Sequence, residues 1–125
     1  MRFVSTRGQA PAVGLSEGIA LGLAPDGGLY VPETLPSLDP ATAPEGDLAK
    51  TAAWLLAPFF AGDPLADTLP GITREALDFP VPLRALPRAG DHVLELFHGP
   101  TAAFKDVGAR SRAACLARMP RPHPR

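Results

Sequence analysis

Apolar residues run through this chain in short bursts, each cut off by proline or glycine, and the pattern predicts a succession of short elements. Residues 3–6 alternate weakly and read as a strand, after which Arg7-Gly8 opens a loop. Leu15, Ile19 and Leu23 recur four apart, which places them on the core face of a short helix, with Ser16 able to cap its first turn. Pro25-Asp26-Gly27-Gly28 closes that helix, since glycine tolerates the positive φ of a tight turn. Leu29-Tyr30-Val31 is then a brief strand, stopped by Pro32. A proline-rich connector covers residues 36–44. Asp47 is placed to cap a helix through Lys50, Trp54, Leu55 and Leu56, which Pro58 is expected to interrupt. Residues 73–77 read as a third short helix capped by Thr73. Residues 79–83 are extended, because a residue preceding proline is pushed out of the α region. Residues 92–97 form a mostly apolar run that suits a strand, Gly99-Pro100 ends it, and residues 106–119 suit a helix. The tail after Pro120 alternates proline with arginine and histidine and predicts no regular element. There is no internal repeat.

Composition changes this picture only in part. The 16 prolines make up about an eighth of the chain, against a usual share of about 5%, which explains why the elements are short. A net charge of −1 argues against nucleic acid as a partner, because phosphate neutralisation needs a clustered positive surface. The start lacks the apolar core of a signal peptide, and no apolar run is long enough to span a membrane. These features favour a cytoplasmic protein. The single cysteine, Cys115, excludes an internal disulfide and is expected to be buried and inert on the last helix. His92, His98 and His123 do not share metal-ligand spacing with it. Trp54, Phe59 and Phe60 read as core rather than as a stacking platform, and Asp26-Gly27-Gly28 as a plain turn rather than a phosphate cradle.

Candidate chemistry centres on Lys105, one of only two lysines; the other is Lys50, and the remaining ten basic residues are arginine. A lysine of lowered pKa becomes a nucleophilic amine able to form a Schiff base, which arginine cannot do. The order strand, Gly-Pro turn, then lysine at a helix entrance points the amine into the crevice where open α/β sheets bind ligands. The adjoining helix N-terminus and burial beside Phe104 would lower its pKa, whereas Asp106 pulls the other way. By spacing alone, Lys105 reads first as a solvated or ion-paired helix lysine.

Two stretches together carry a resemblance. His98-Gly99-Pro100-Thr101-Ala102-Ala103-Phe104-Lys105-Asp106 resembles the cofactor-lysine motif of the threonine synthase family. Ser5-Thr6-Arg7-Gly8, with the stretch from Gly22 through Pro25-Asp26-Gly27-Gly28 to Pro32, is similar to the N-terminal signature of the same family. The resemblance covers roughly residues 1–110. It implies a small N-terminal α/β domain over residues 1–82. Residues 83–125 would begin a pyridoxal-phosphate domain of fold type II, a three-layer domain built on a parallel sheet. It further implies a carbon–oxygen lyase that converts O-phosphohomoserine and water to threonine and phosphate with pyridoxal phosphate as cofactor. Lys105 would be the lysine that holds the cofactor, with Phe104 and Asp106 shaping its surroundings. Thr101 and His98 would line the pocket. Ser5, Thr6 and Arg7 would either reach the site or serve only at a strand end.

The chain departs from that pattern after Lys105. Family members are longer, and their glycine-rich phosphate loop and pyridine-nitrogen contact lie downstream of the lysine, whereas 20 residues follow it here. Arg110-Ser111-Arg112 puts three polar residues in a row where an amphipathic helix is expected. The chain is therefore expected to be an N-terminal, truncated or frame-disturbed fragment, inactive alone. Two alternatives stand beside it: a non-catalytic module binding a partner protein, and another fold type II enzyme such as a serine or threonine dehydratase.

Overall fold

Strand β1 (Phe3–Ser5) is the first element of the computed structural model, which describes residues 1–120; the tail beyond, with His123, lies outside the described residues. It pairs antiparallel with β2 (Tyr30–Pro32), Phe3 opposite Pro32 and Ser5 opposite Tyr30. On its other side Phe3 exchanges two backbone hydrogen bonds of 2.9 Å with Val13. Helix α1 (Leu15–Leu21) follows immediately. Ser16 does not cap it. Gly14 sits at the cap without a side chain, and Asp63 supplies the missing acceptor from 47 residues away, taking the Ser16 amide at 2.9 Å and the Ser16 hydroxyl. Burial pushes the Asp63 carboxyl up, but hydrogen bonds from Ser16 and the Leu65 amide outweigh it and leave the carboxyl below its usual value. Leu23 also departs from expectation: α1 stops at Leu21, Gly22 turns the chain at φ 75°, and Leu23 is left 60% exposed. A four-residue spacing carries no meaning past a helix end.

Helix α2 (Leu48–Phe60) begins as anticipated, with Asp47 accepting from the Lys50 amide at 3.0 Å. Pro58 lies inside it rather than interrupting it. Only two residues follow the proline, and burial of Phe60 against the core offsets the lost hydrogen bond. Trp54 donates to Thr42 Oγ1 at 3.2 Å and so ties the proline-rich connector onto α2. Helix α3 (Leu69–Ala76) starts four residues before the anticipated cap. Pro70 and Gly71 fall in its first turn, where proline is tolerated because no amide partner is needed. Thr73 is consequently a buried mid-helix residue, not a cap.

The core gathers Phe60, Leu65, Leu69 and Ile72 from this helical region with Ala114 and Cys115 from α4 (Lys105–Arg118). It therefore joins residues from both sides of position 82. Burial pushes the Cys115 thiol up, as suits an unreactive core cysteine. Between α3 and α4, β3 (Leu83–Ala85) and β4 (His92–Leu94) form an antiparallel hairpin, Leu83 opposite Leu94, exposed along both strands. The architecture is mixed α/β, with two small antiparallel sheets flanking packed helices; no parallel strand pair occurs among the described residues. None of the described helices is long and apolar enough to cross a membrane.

Candidate active site

Lys105 is the first residue of α4, and the chain ahead of it is folded into a tight turn. The Ala102 amide donates to Gly99 O at 3.0 Å, and the Asp106 amide to Ala103 O at 3.1 Å. Ala102 takes a left-handed φ of 54°, a conformation that costs an L residue about 1–2 kcal/mol and persists only when its surroundings hold it. Asp106 does the holding. Its carboxylate reaches back from the first turn of α4, accepting from the Thr101 amide at 2.8 Å and from the Thr101 hydroxyl at 2.9 Å. The residue is 5% exposed, and Gly99 lies against it so closely that a Cβ there would stand 2.5 Å from Asp106 Oδ2. This close approach explains why glycine occupies position 99.

The staple presents Lys105 rather than burying it. Lys105 is exposed, and the ion pairs among the described residues leave it out. Phe104 is 65% exposed, so the anticipated burial of the amine beside that ring is not found. Thr101 spends its hydroxyl on Asp106 instead of an open pocket. His98 leans on the hairpin: its Nε2 lies 2.6 Å from Glu95 Oε2, and its ring centroid 4.7 Å from that of Phe97. Glu95 in turn pairs with Arg84 at 3.5 Å.

Ser5, Thr6 and Arg7 form a second cluster, organised by Asp26. Asp26 Oδ1 accepts from Ser5 Oγ at 2.7 Å and the Gly28 amide at 2.9 Å; Oδ2 accepts from the Gln9 and Ala10 amides at 3.0 and 2.9 Å. The Ser5 hydroxyl is foremost in holding this carboxyl below its usual value, and the three amides add to it. Arg7 donates to Asp26 O at 2.9 Å, and the Leu29 amide donates to Thr6 Oγ1 at 3.0 Å. Gly28 is packed so tightly that a Cβ would fall on Ser5 Oγ. All three residues thus serve the junction between β1 and the turn before β2. Sequence reasoning took Asp26 for an ordinary turn residue; the available signal was an Asp-Gly-Gly turn in the same signature as a Ser-Thr pair.

A free primary amine at a fixed helix start fits a Schiff-base lysine, and a turn tied down by Asp106 and Thr101 fits the task of orienting it. Cavities elsewhere do not include Lys105: one of about 410 Å³ lies between α2 and α3 beside Lys50 and Arg74, and one of about 250 Å³ beside Cys115. A family model described as threonine synthase N terminus matches residues 2–77. The threonine synthase of Pseudomonas aeruginosa is 42% identical over 122 residues, covering 85% of this chain and 24% of that protein. Among solved structures, a pyridoxal-phosphate-bound threonine synthase from Brucella melitensis aligns with TM-score 0.78 at 39% identity, over 94% of this chain and 28% of its own. The threonine synthase of Escherichia coli aligns with TM-score 0.82 at 31% identity, over the same shares. The chain spans about a quarter of the length of these relatives. On these matches, the chain belongs to the threonine synthase family.

Proposed function

We propose that this chain supplies the cofactor lysine, Lys105, of a cytoplasmic threonine synthase that converts O-phosphohomoserine and water to threonine and phosphate. The observation that carries the reading is the presentation of Lys105: an exposed amine at the head of α4, behind a turn that Asp106 staples shut. When bound, pyridoxal phosphate supplies an electron sink for a carbanion. Lys105 would hold it through its amine, and the same amine is the natural group to move protons at the substrate's Cα and Cβ. Asp106 and Thr101 fix the turn, Phe104 precedes the lysine, and His98, paired with Glu95, is the further pocket candidate. Residues 1–82 act in this reading as the N-terminal domain, with catalytic-domain residues starting near 83. The match over residues 2–77 favours this substrate class over a serine or threonine dehydratase.

The 125 residues alone are expected neither to hold the cofactor tightly nor to make threonine, because Lys105 and Phe104 stand open to solvent here. The test has two parts. The purified chain is mixed with pyridoxal phosphate, followed by absorbance, and reduced with borohydride; weak, unstable labelling without turnover is expected, and turnover of O-phosphohomoserine by the isolated chain would refute the inactivity. In cells that depend on this gene for threonine, Lys105→Ala should abolish growth without threonine. Unchanged growth would discard the cofactor role and favour a partner-binding module. The apolar side chains that the hairpin exposes, Leu83, Leu86, Val93 and Leu94, are the observation behind that second reading.

A further inference from the structure

The two halves of α4 are anchored by different means. Ala114 and Cys115 bury the C-terminal half in the core, and Arg118 adds an ion pair to Glu75 at 2.8 Å. The N-terminal half, which carries Lys105, offers the core little: Gly108 and Ala109 are exposed and Val107 only half-buried. Arg110 fills that gap. Its Nε donates to Ala76 O and its Nη2 to Glu75 O, both at 2.8 Å; Nη2 also meets Asp78 Oδ1 at 2.5 Å, and the guanidinium lies 5.8 Å from the Phe79 ring centroid. Glu75 and Ala76 close α3, where the last carbonyls lack intrahelical partners and carry the negative end of the helix dipole. A planar fork meets two such carbonyls in one fixed geometry, whereas an ammonium on a flexible stem is not pre-organised to do so.

We infer that Arg110 is a positioning residue for Lys105: by gripping the C-terminus of α3 it sets the bearing of the N-terminal half of α4. The two residues lie five positions apart on one helix, about 7.5 Å along its axis, so the grip is transmitted through less than two turns. Its neighbours are also employed. Ser111 Oγ donates to Val107 O at 2.7 Å, and Arg112 Nε reaches Ile19 O, near the end of α1, at a longer 3.3 Å. Within the polar run Arg110-Ser111-Arg112, Arg110 and Arg112 reach the ends of α3 and α1, and Ser111 bonds back to its own helix. The catalytic meaning of this inference rests on the reading of Lys105 above, whereas the grip itself is testable without any cofactor.

Amide hydrogen exchange on the 125-residue chain reads the grip directly. In Arg110→Met, amides of residues 107–111 should exchange about tenfold faster while those of 114–118 and of α2 stay within about twofold. Arg112→Met should leave every segment within about twofold. Arg110→Lys keeps the charge without the fork and should fail to restore protection; it also answers the question if Arg110→Met does not fold. Uniform acceleration across α2 to α4, no acceleration at 107–111, or full protection in Arg110→Lys would each overturn the inference. The link to Lys105 is read on the same variants by trapping pyridoxal phosphate with borohydride, with Lys50 as internal reference. A frayed first turn loses aligned amides that attract the reagent's phosphate, so the Lys105-to-Lys50 label ratio should fall by about half. A ratio that stays put while residues 107–111 lose protection would sever Arg110 from Lys105, and would leave the proposed function standing.

Discussion

Asp26 and Asp106 each organise one of the two stretches that carry the sequence resemblance, and they do so in opposite ways. Asp26 gathers four donors from residues 5, 9, 10 and 28, and so welds the first strand to the turn before the second. Asp106 takes both its hydrogen bonds from one residue five positions away, and holds a local loop against the head of its own helix. The first arrangement draws its donors from four separate positions. The second leaves a lysine standing free. One stretch thus ties β1 to the turn before β2, and the other holds the loop ahead of an exposed Lys105.

The same substitution made in both places should give the largest contrast. Gly28→Ala forces a methyl onto Ser5 Oγ, with the Arg7 amide 3.1 Å away as a second, backbone obstacle. Crowding of that kind inside a closed junction should cost about 1–3 kcal/mol by denaturant unfolding. At Gly99→Ala the nearest atoms met all belong to the Asp106 side chain, at a local loop outside the core cluster. It should cost less than about 1 kcal/mol while releasing the Thr101 amide to exchange. Equal losses at the two glycines would erase the distinction between weld and staple.

What was legible in the sequence follows the same division. Elements whose boundaries are set by neighbours in the chain could be read: β1, the Asp47 cap and the turn before β2 were all signalled by residues within four positions. Features set from a distance could not. The real cap of α1 is Asp63, and nothing local marks it. The start of α3 lies at Leu69, four residues before Thr73, with Pro70 in a first turn that tolerates proline. Lys105 and its motif were legible as a string of residues, whereas its exposure, the Asp106 staple and the grip of Arg110 depend on contacts that no spacing encodes. Asp26 lay between these cases, visible as a turn but not as a hub.

Acid should test the charge at the centre of the Asp26 junction next. Asp26 and Asp63 both have folded-state pKa values below the ordinary 3.8. Above 3.8 both are ionised in folded and unfolded chains alike, and their stabilisation is fully present. Below it the unfolded chain binds protons first, so stability falls as pH drops through the lowered folded values. Unfolding midpoints measured from neutral pH downward should therefore be flat and then decline below about pH 4. Asp26→Asn should flatten part of that decline at the expense of stability at neutral pH. A decline unchanged in Asp26→Asn would mean that the weld does not depend on the charge at its centre.

The smallest effect is the most discriminating about the staple itself. Thr101→Val removes the 2.9 Å hydroxyl bond to Asp106 and keeps the 2.8 Å amide bond, at nearly constant side-chain volume. Because Thr101 is exposed, the lost hydrogen bond should cost about 0.5–1.5 kcal/mol at most, confined to the loop ahead of α4. Ser5→Ala is its counterpart at the weld, but Ser5 is buried and its hydroxyl both donates to Asp26 and accepts from the Arg7 amide at 3.2 Å. Its loss strands a backbone donor as well as a carboxylate lone pair, so it should lower the global unfolding midpoint where Thr101→Val changes only local exchange. If Thr101→Val instead lowered the global midpoint, the loop that presents Lys105 would be part of the cooperative core. The openness around Lys105 would then be a fixed feature of the fold rather than the mark of a loop able to move.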